Sequence, residues 1–213
     1  MKTLTKIILI LSMSTLYSQD YQVGDIIFTT YRPCRVCQII EDETGGPYSH
    51  LGIIVKVTSS EVLVADSLGV VKTSSAKDFI EKSAYATLFR INPETLNTSR
   101  ESFEKSLFIS YEKRFKGLKY DRFFQWDNFD DEGNELLYCS EFVSKLINPY
   151  FNTPIPTKPM NYTKNYDFWV KYFRDVPIPQ DQPGINPDYL SKQPQLKFIK
   201  VLKNTINTGI FES

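Results

Sequence analysis

Tyr48-Ser-His-Leu-Gly-Ile-Ile-Val-Lys-Val57, then Thr58-Ser-Ser60, then Glu61-Val-Leu-Val-Ala-Asp66: this stretch decides the fold. Two short runs of β-branched and aliphatic residues, 51–57 and 61–66, are joined by three small polar residues, which is the pattern of an antiparallel hairpin. Upstream, Gly24 precedes a β-rich run, Asp25-Ile-Ile-Phe-Thr-Thr30. Downstream, Val70-Val-Lys72 follows Gly69 as a short strand, 76–82 reads as a short helix, and Tyr85 to Ile91 alternates as a further strand. Residues 31–48 carry Pro33, Gly45, Gly46 and Pro47 and read as a loop.

The period then changes. Phe103, Leu107, Tyr111 and Phe115 recur every fourth residue, the spacing of an amphipathic helix. Thr98 or Ser99 is placed to cap it and Gly117 to stop it. Residues 119–135 are polar, aromatic and acidic and read as an irregular, solvated loop; the acidic positions there do not alternate as a calcium loop requires. A helix is predicted from Cys139 to about Ile147. Beyond it, prolines at 149, 154, 156 and 159 predict a path over the surface, with a helix over 166–173 and a last strand over 196–202. No internal repeat is visible. Strands first and helices later predict an α+β architecture, one antiparallel sheet packed against helices that include the Cys139 helix. The predicted organisation is one domain over 20–213, with a core at about 24–150 and a Pro-rich C-terminal decoration over 151–213.

The 25 basic and 25 acidic residues of the 213 cancel, so no basic stripe exists to follow a phosphate backbone, and nucleic acid is not an expected partner. At the N-terminus, Lys2 and Lys6 precede a mostly apolar run from Ile7 to Leu16 that ends in Tyr17-Ser-Gln19. That order predicts a cleavable signal peptide over 1–19, too short to span a bilayer, with a buried N-terminal element as the alternative. The mature chain is then expected to be exported, with no transmembrane segment.

Export bears on the three cysteines, Cys34, Cys37 and Cys139. An oxidising compartment favours pairing. Cys34 with Cys37 would leave Cys139 as an odd, reactive thiol; pairing of Cys139 with either of the others stays open. Zinc is not expected, since no second Cys pair or spare histidine completes a ligand set. No cofactor is expected either.

The chain has a single histidine, His50, where a loop enters a strand. Cys139 opens a predicted helix, whose unpaired N–H groups and partial positive charge favour a thiolate and can hold an oxyanion. A thiol attacks an acyl carbon as thiolate, an imidazole takes its proton, and a third group orients the imidazole. Asp66, at the end of the strand paired with that of His50, is the candidate for this third role. A turn residue ahead of Gly69 is its alternative reading, and Glu61 is the fallback. Ser49 and Tyr138, which flank the pair in sequence, are candidate pocket residues. Glu141, three positions into the helix start, is placed to accept backbone N–H bonds.

Gly24-Asp-Ile-Ile-Phe28, Ser49-His-Leu-Gly-Ile53, Lys119-Tyr-Asp121 and Tyr138-Cys-Ser-Glu141 occur in this order, with a weaker echo in Pro183-Gly-Ile-Asn-Pro-Asp188. The set resembles the YiiX/YaeF-like branch of the circularly permuted NlpC-type cysteine amidases, a papain-like group in which the His strand precedes the Cys helix. The resemblance implies Cys139 as nucleophile, His50 as base and Asp66 at a third position often held by Glu. It also implies that Tyr120 lines the pocket or assists the oxyanion. The expected activity is an amide hydrolase acting on peptide, peptidoglycan or lipid-derived amides. A lipid esterase or acyltransferase on the same fold, and a non-catalytic binding module, are the alternatives.

Overall fold

The computed structural model describes residues 20–174 and 176–206. The expected leader over 1–19 lies outside the described residues. Six strands form one antiparallel sheet: β1 (Ile26–Thr30), β2 (His50–Val57), β3 (Val62–Leu68), β4 (Val70–Ser75), β5 (Tyr85–Ile91) and a late strand, Leu196–Asn204. The late strand pairs with β5, and the spatial order is late strand, β5, β1, β2, β3, β4. The hairpin through 58–60 is present, with Ile53 opposite Ala65 and Val57 opposite Val62. It is longer than expected: β3 runs past Asp66 to Leu68, so Asp66 is a strand residue and not a turn residue.

The alternation along each strand sorts its side chains between two apolar layers, as a period of two requires. Ile26, Phe28, Leu51, Ile53 and Ala65 face one layer; Ile27, Ile54, Val64 and Leu88 face the other. The first layer packs on α3 (Arg100–Ser110) and on α4 (Cys139–Ile147). Ser99 caps α3, and the four periodic residues Phe103, Leu107, Tyr111 and Phe115 are all buried, the last two on a π-helical turn that continues α3. Each such side chain contributes about 1.5–3 kcal/mol on burial. The second layer is closed by α2 (Ala76–Glu81), whose Phe79 lies over the sheet. Gly52 answers to Phe79. A Cβ on Gly52 would lie 2.5 Å from Val64 Cγ1 and 3.0 Å from Phe79 Cζ.

Residues 31–48 are not a loop, because α1 (Arg35–Thr44) occupies most of them. The Cys34 side chain accepts from the Cys37 N–H at its start, and Gly45 closes it in the left-handed conformation, φ 72°. Pro33 and Gly45 are therefore the helix's boundaries. Cys34 and Cys37 form a disulfide and Cys139 is free.

The C-terminal third does more than run over the surface. It adds α5 (Tyr166–Phe173), α6 (Pro187–Ser191) and the sheet-edge strand Leu196–Asn204, and it buries Ile155, Tyr162, Trp169, Ile185 and Leu190. A third apolar cluster joins Trp169 and Phe173 of α5 to Phe124, Tyr138 and Ile39. Residues 119–135 are not wholly irregular, because Asn128–Phe129 pairs with Glu135–Leu136 as a short antiparallel ribbon, and the Asp121 carboxylate organises the stretch before it by accepting the N–H groups of Phe123 and Gln125 and the Asn128 amide. Among the described residues, no helix is long and apolar enough to cross a membrane.

Candidate active site

His50 opens β2 and Asp66 lies in β3, so the hairpin itself brings imidazole and carboxylate together. Nε2 of His50 is 2.9 Å from Oδ2 of Asp66, and both side chains are buried. The rings of Tyr31 and Phe79 flank the imidazole, with centroids at 5.4 and 5.8 Å. Cys139 lies near enough to the same ring to raise its pKa. With Nε2 turned to Asp66, Nδ1 is the nitrogen left for the thiol.

Three bonds hold Cys139 in that place. Ser67, next to Asp66, donates to the Leu137 carbonyl at 2.6 Å and so ties the chain entering α4 to β3. Ser140 donates to the Ile185 carbonyl at 2.6 Å, and the Ile185 N–H donates to the Tyr138 hydroxyl at 3.1 Å. The segment around Ile185 is thereby bracketed against the start of α4. Tyr138 offers no side-chain cap, so the first N–H groups of α4 remain free of a capping side chain.

Burial opposes a charge on His50, but the electrostatic and hydrogen-bonding influence of Cys139 and the Asp66 hydrogen bond outweigh it and push its pKa up to about 10. Burial, with the Cys139 charge next in weight, drives the Tyr120 hydroxyl well above its ordinary range; the Tyr138 hydroxyl is raised in the same way, chiefly by burial and by the Glu141 charge.

A cavity of about 220 Å³ opens beside the thiol. Ser49, Tyr120 and Tyr138 line it together with Cys139. The Ser49 hydroxyl also lies 3.0 Å from that of Thr30. Glu141 does not line it. It is buried, accepts the Asp127 N–H at 3.1 Å, and pairs with Lys145 at 2.8 Å. The bond comes from the preceding loop and not from its own helix turn. Burial holds the Glu141 carboxyl up, at about 7, against the opposing effect of Lys145. Glu61 is excluded from the site: it is exposed and pairs with Lys56.

Sequence reasoning missed Tyr31, Phe79, Lys158 and Ile185. Tyr31, Phe79 and Lys158 carried no signal, because each reaches the site through tertiary packing; Ile185 falls in the Pro183–Asp188 motif, which marked the segment without assigning that residue a role.

The acidic run expected to be solvated is partly tied down. Asp127 and Glu135 bond the Lys145 ammonium at 2.6 and 2.5 Å. Asp127, Glu135 and Glu141 are also the one carboxylate group among the described residues close enough to share a cation. Lys145 already fills that role, so this donor set does not fit a metal ion.

The chain is similar in structure to a protein from Escherichia coli O157:H7 described as metalloprotein YiiX. The two share 22% identity and a TM-score of 0.69, over 84% of this chain and 96% of that one, a likeness of fold. No curated protein matches the chain. Residues 20–200 match the model of the family described as permuted papain-like amidase enzyme, YaeF/YiiX, C92. With a histidine strand ahead of a cysteine-bearing helix and a match over most of its length, the chain belongs to the permuted papain-like amidases, a cysteine peptidase and amidase family.

Proposed function

We propose that the chain hydrolyses amide bonds through a thiolate of Cys139 paired with the imidazolium of His50, which Asp66 orients. One observation carries the reading: a buried imidazole bonded to Asp66 on one nitrogen, with the cysteine at the start of α4 near enough to raise its pKa. The thiolate attacks the carbonyl carbon, and the resulting oxyanion meets the free N–H groups of the α4 first turn. His50 gives its proton to the departing amine as the C–N bond breaks. Water, deprotonated by His50, then cleaves the thioester, releasing the acid and regenerating the ion pair. The apolar lining of the cavity favours an apolar group on one side of the scissile bond. It suits an acyl chain as readily as a peptide, and the acceptor decides between hydrolysis and transfer.

The chain is also proposed to act outside the cytoplasm. The charged, apolar and polar order of residues 1–19 supports this, as does the Cys34–Cys37 disulfide, which suits an oxidising compartment.

The test is the pH dependence of Cys139 alkylation by iodoacetamide, in the wild type and in His50→Ala, alongside turnover of an amide and ester panel. Rapid alkylation near pH 6, against about 8.5 for an ordinary thiol, abolished in His50→Ala and joined to turnover lost in Cys139→Ala, is the expected result. Ordinary thiol titration in both proteins, or activity that survives Cys139→Ala, overturns the reading.

A further inference from the structure

The walls of the cavity beside Cys139 are mostly apolar, with Ile40, Phe124, Met160, Trp169 and Ile185 among them. Its two charged lining residues are Glu43 and Lys158, and they are in opposite situations. Glu43 is saturated. Its carboxylate accepts the backbone N–H groups of Lys164 and Asn165 at 2.8 and 3.0 Å and the Trp169 indole N–H at 3.1 Å, and so clamps α1 to the start of α5. It has little capacity left for a ligand.

Lys158, on the two-residue strand Lys158–Pro159, makes no salt bridge among the described residues. Its ammonium lies over the Tyr189 ring, 4.9 Å from the centroid. The neighbouring carboxylate, Asp188, is engaged by Lys192 at 2.6 Å. Lys158 is half-buried, and burial lowers its pKa, with Asp188 opposing that and Lys192 adding to it. A half-buried cation without a counter-ion favours an anion from outside. Asn186 also lines the cavity. Its side-chain oxygen accepts the Tyr189 N–H, which leaves the amide NH₂ as a donor.

We infer that Lys158 determines specificity in this cavity, and that the substrate presents there a carboxylate carried on an otherwise apolar group next to the scissile amide. The inference rests on the amidase reading for the word substrate, and on the cavity alone for binding. A carboxylate fits better than a phosphate dianion, because one ammonium and one amide donor match a single negative charge.

The probe is a matched pair, glutaryl p-nitroanilide and its terminal carboxamide. The wild type is expected to prefer the carboxylate by about tenfold or more in kcat/KM, mainly through KM. Lys158→Gln brings the ratio to about one, Lys158→Glu reverses it, and Lys158→Arg keeps the preference. Equal turnover of the pair by the wild type overturns the inference and leaves the amidase reading standing. If the wild type hydrolyses neither, the amidase reading is what fails for these amides, and binding still decides the inference. Glutarate monoanilide and its carboxamide are titrated calorimetrically against Cys139→Ala and against Cys139→Ala with Lys158→Gln. Tighter carboxylate binding that needs Lys158 sustains the inference. Equal affinities, or no binding of either, overturn it.

Discussion

Asp66 holds Nε2 of His50 at 2.9 Å from within the strand that pairs with the histidine's own strand. The orienting bond is therefore built into one hairpin, and it does not depend on how the helices pack. Replacing the carboxylate by an amide keeps the shape and removes the charge. Asp66→Asn is expected to lower kcat/KM by roughly 10²–10⁴-fold, the usual weight of positioned acid–base catalysis. Steady-state kinetics on any hydrolysed amide checks it; a change within about threefold would remove Asp66 from the mechanism.

The raised pKa of His50 sets a pH window. The imidazolium must be present to protonate the leaving amine, and it is held up to about 10. Activity is expected to persist through the neutral range and to fall as pH rises through about 10, as His50 loses its proton. In Asp66→Asn the falling limb moves to lower pH, because one of the interactions that raise the pKa is gone. A pH profile of kcat/KM for both proteins reads this directly. A limb at the same pH in both would contradict the coupling.

Glu141 makes a prediction about stability. Its carboxyl is raised from 4.5 to about 7 by burial, so the folded state binds the proton more tightly than the unfolded chain does. The associated stabilisation is full below pH 4.5 and is lost as pH rises through 7. Glu141→Gln removes this dependence. Relative to the variant, the wild type is expected to lose on the order of 1–3 kcal/mol between the two pH values. Urea unfolding of both proteins at pH 4.5 and at pH 8 gives the difference. Parallel curves would mean that Glu141 stays ionised beside Lys145 throughout.

Gly52 lies two residues from His50 in β2, against Phe79. An added Cβ meets Val64 Cγ1 at 2.5 Å and Phe79 Cζ at 3.0 Å, both in a packed layer. Gly52→Ala is expected to cost about 1–3 kcal/mol by overpacking. Since Phe79 also flanks the imidazole, activity should fall with stability. Chemical denaturation measures the first effect and specific activity of the folded fraction the second.

The hairpin, the period-four helix and the α+β order were legible because each is a local pattern. Two β runs around Thr58-Ser-Ser60 pair only as neighbours, and Phe103, Leu107, Tyr111 and Phe115 define one face of a helix whatever it packs on. The lone His50 and the odd Cys139 stood out as candidates because histidine and cysteine are scarce in this chain, and Asp66 because it lies on the strand that pairs with that of His50. The helix over 35–44 was hidden, because Pro33 and Gly45 read as loop markers when they in fact bound it, and because its start is capped by a cysteine side chain. The acidic run after Trp126 read as solvated because the partner of Asp127 and Glu135 is Lys145, ten or more residues further along.

By itself, then, the sequence determined the sheet, the helix that Cys139 opens and which side chains could react. Only the tertiary structure decided where the thiol meets the imidazole, through Ser67 on Leu137 and Ser140 on Ile185, and which C-terminal residues wall the cavity. Those contacts join segments 45 and 70 residues apart. No local periodicity encodes such a distance; packing and a few buried hydrogen bonds do.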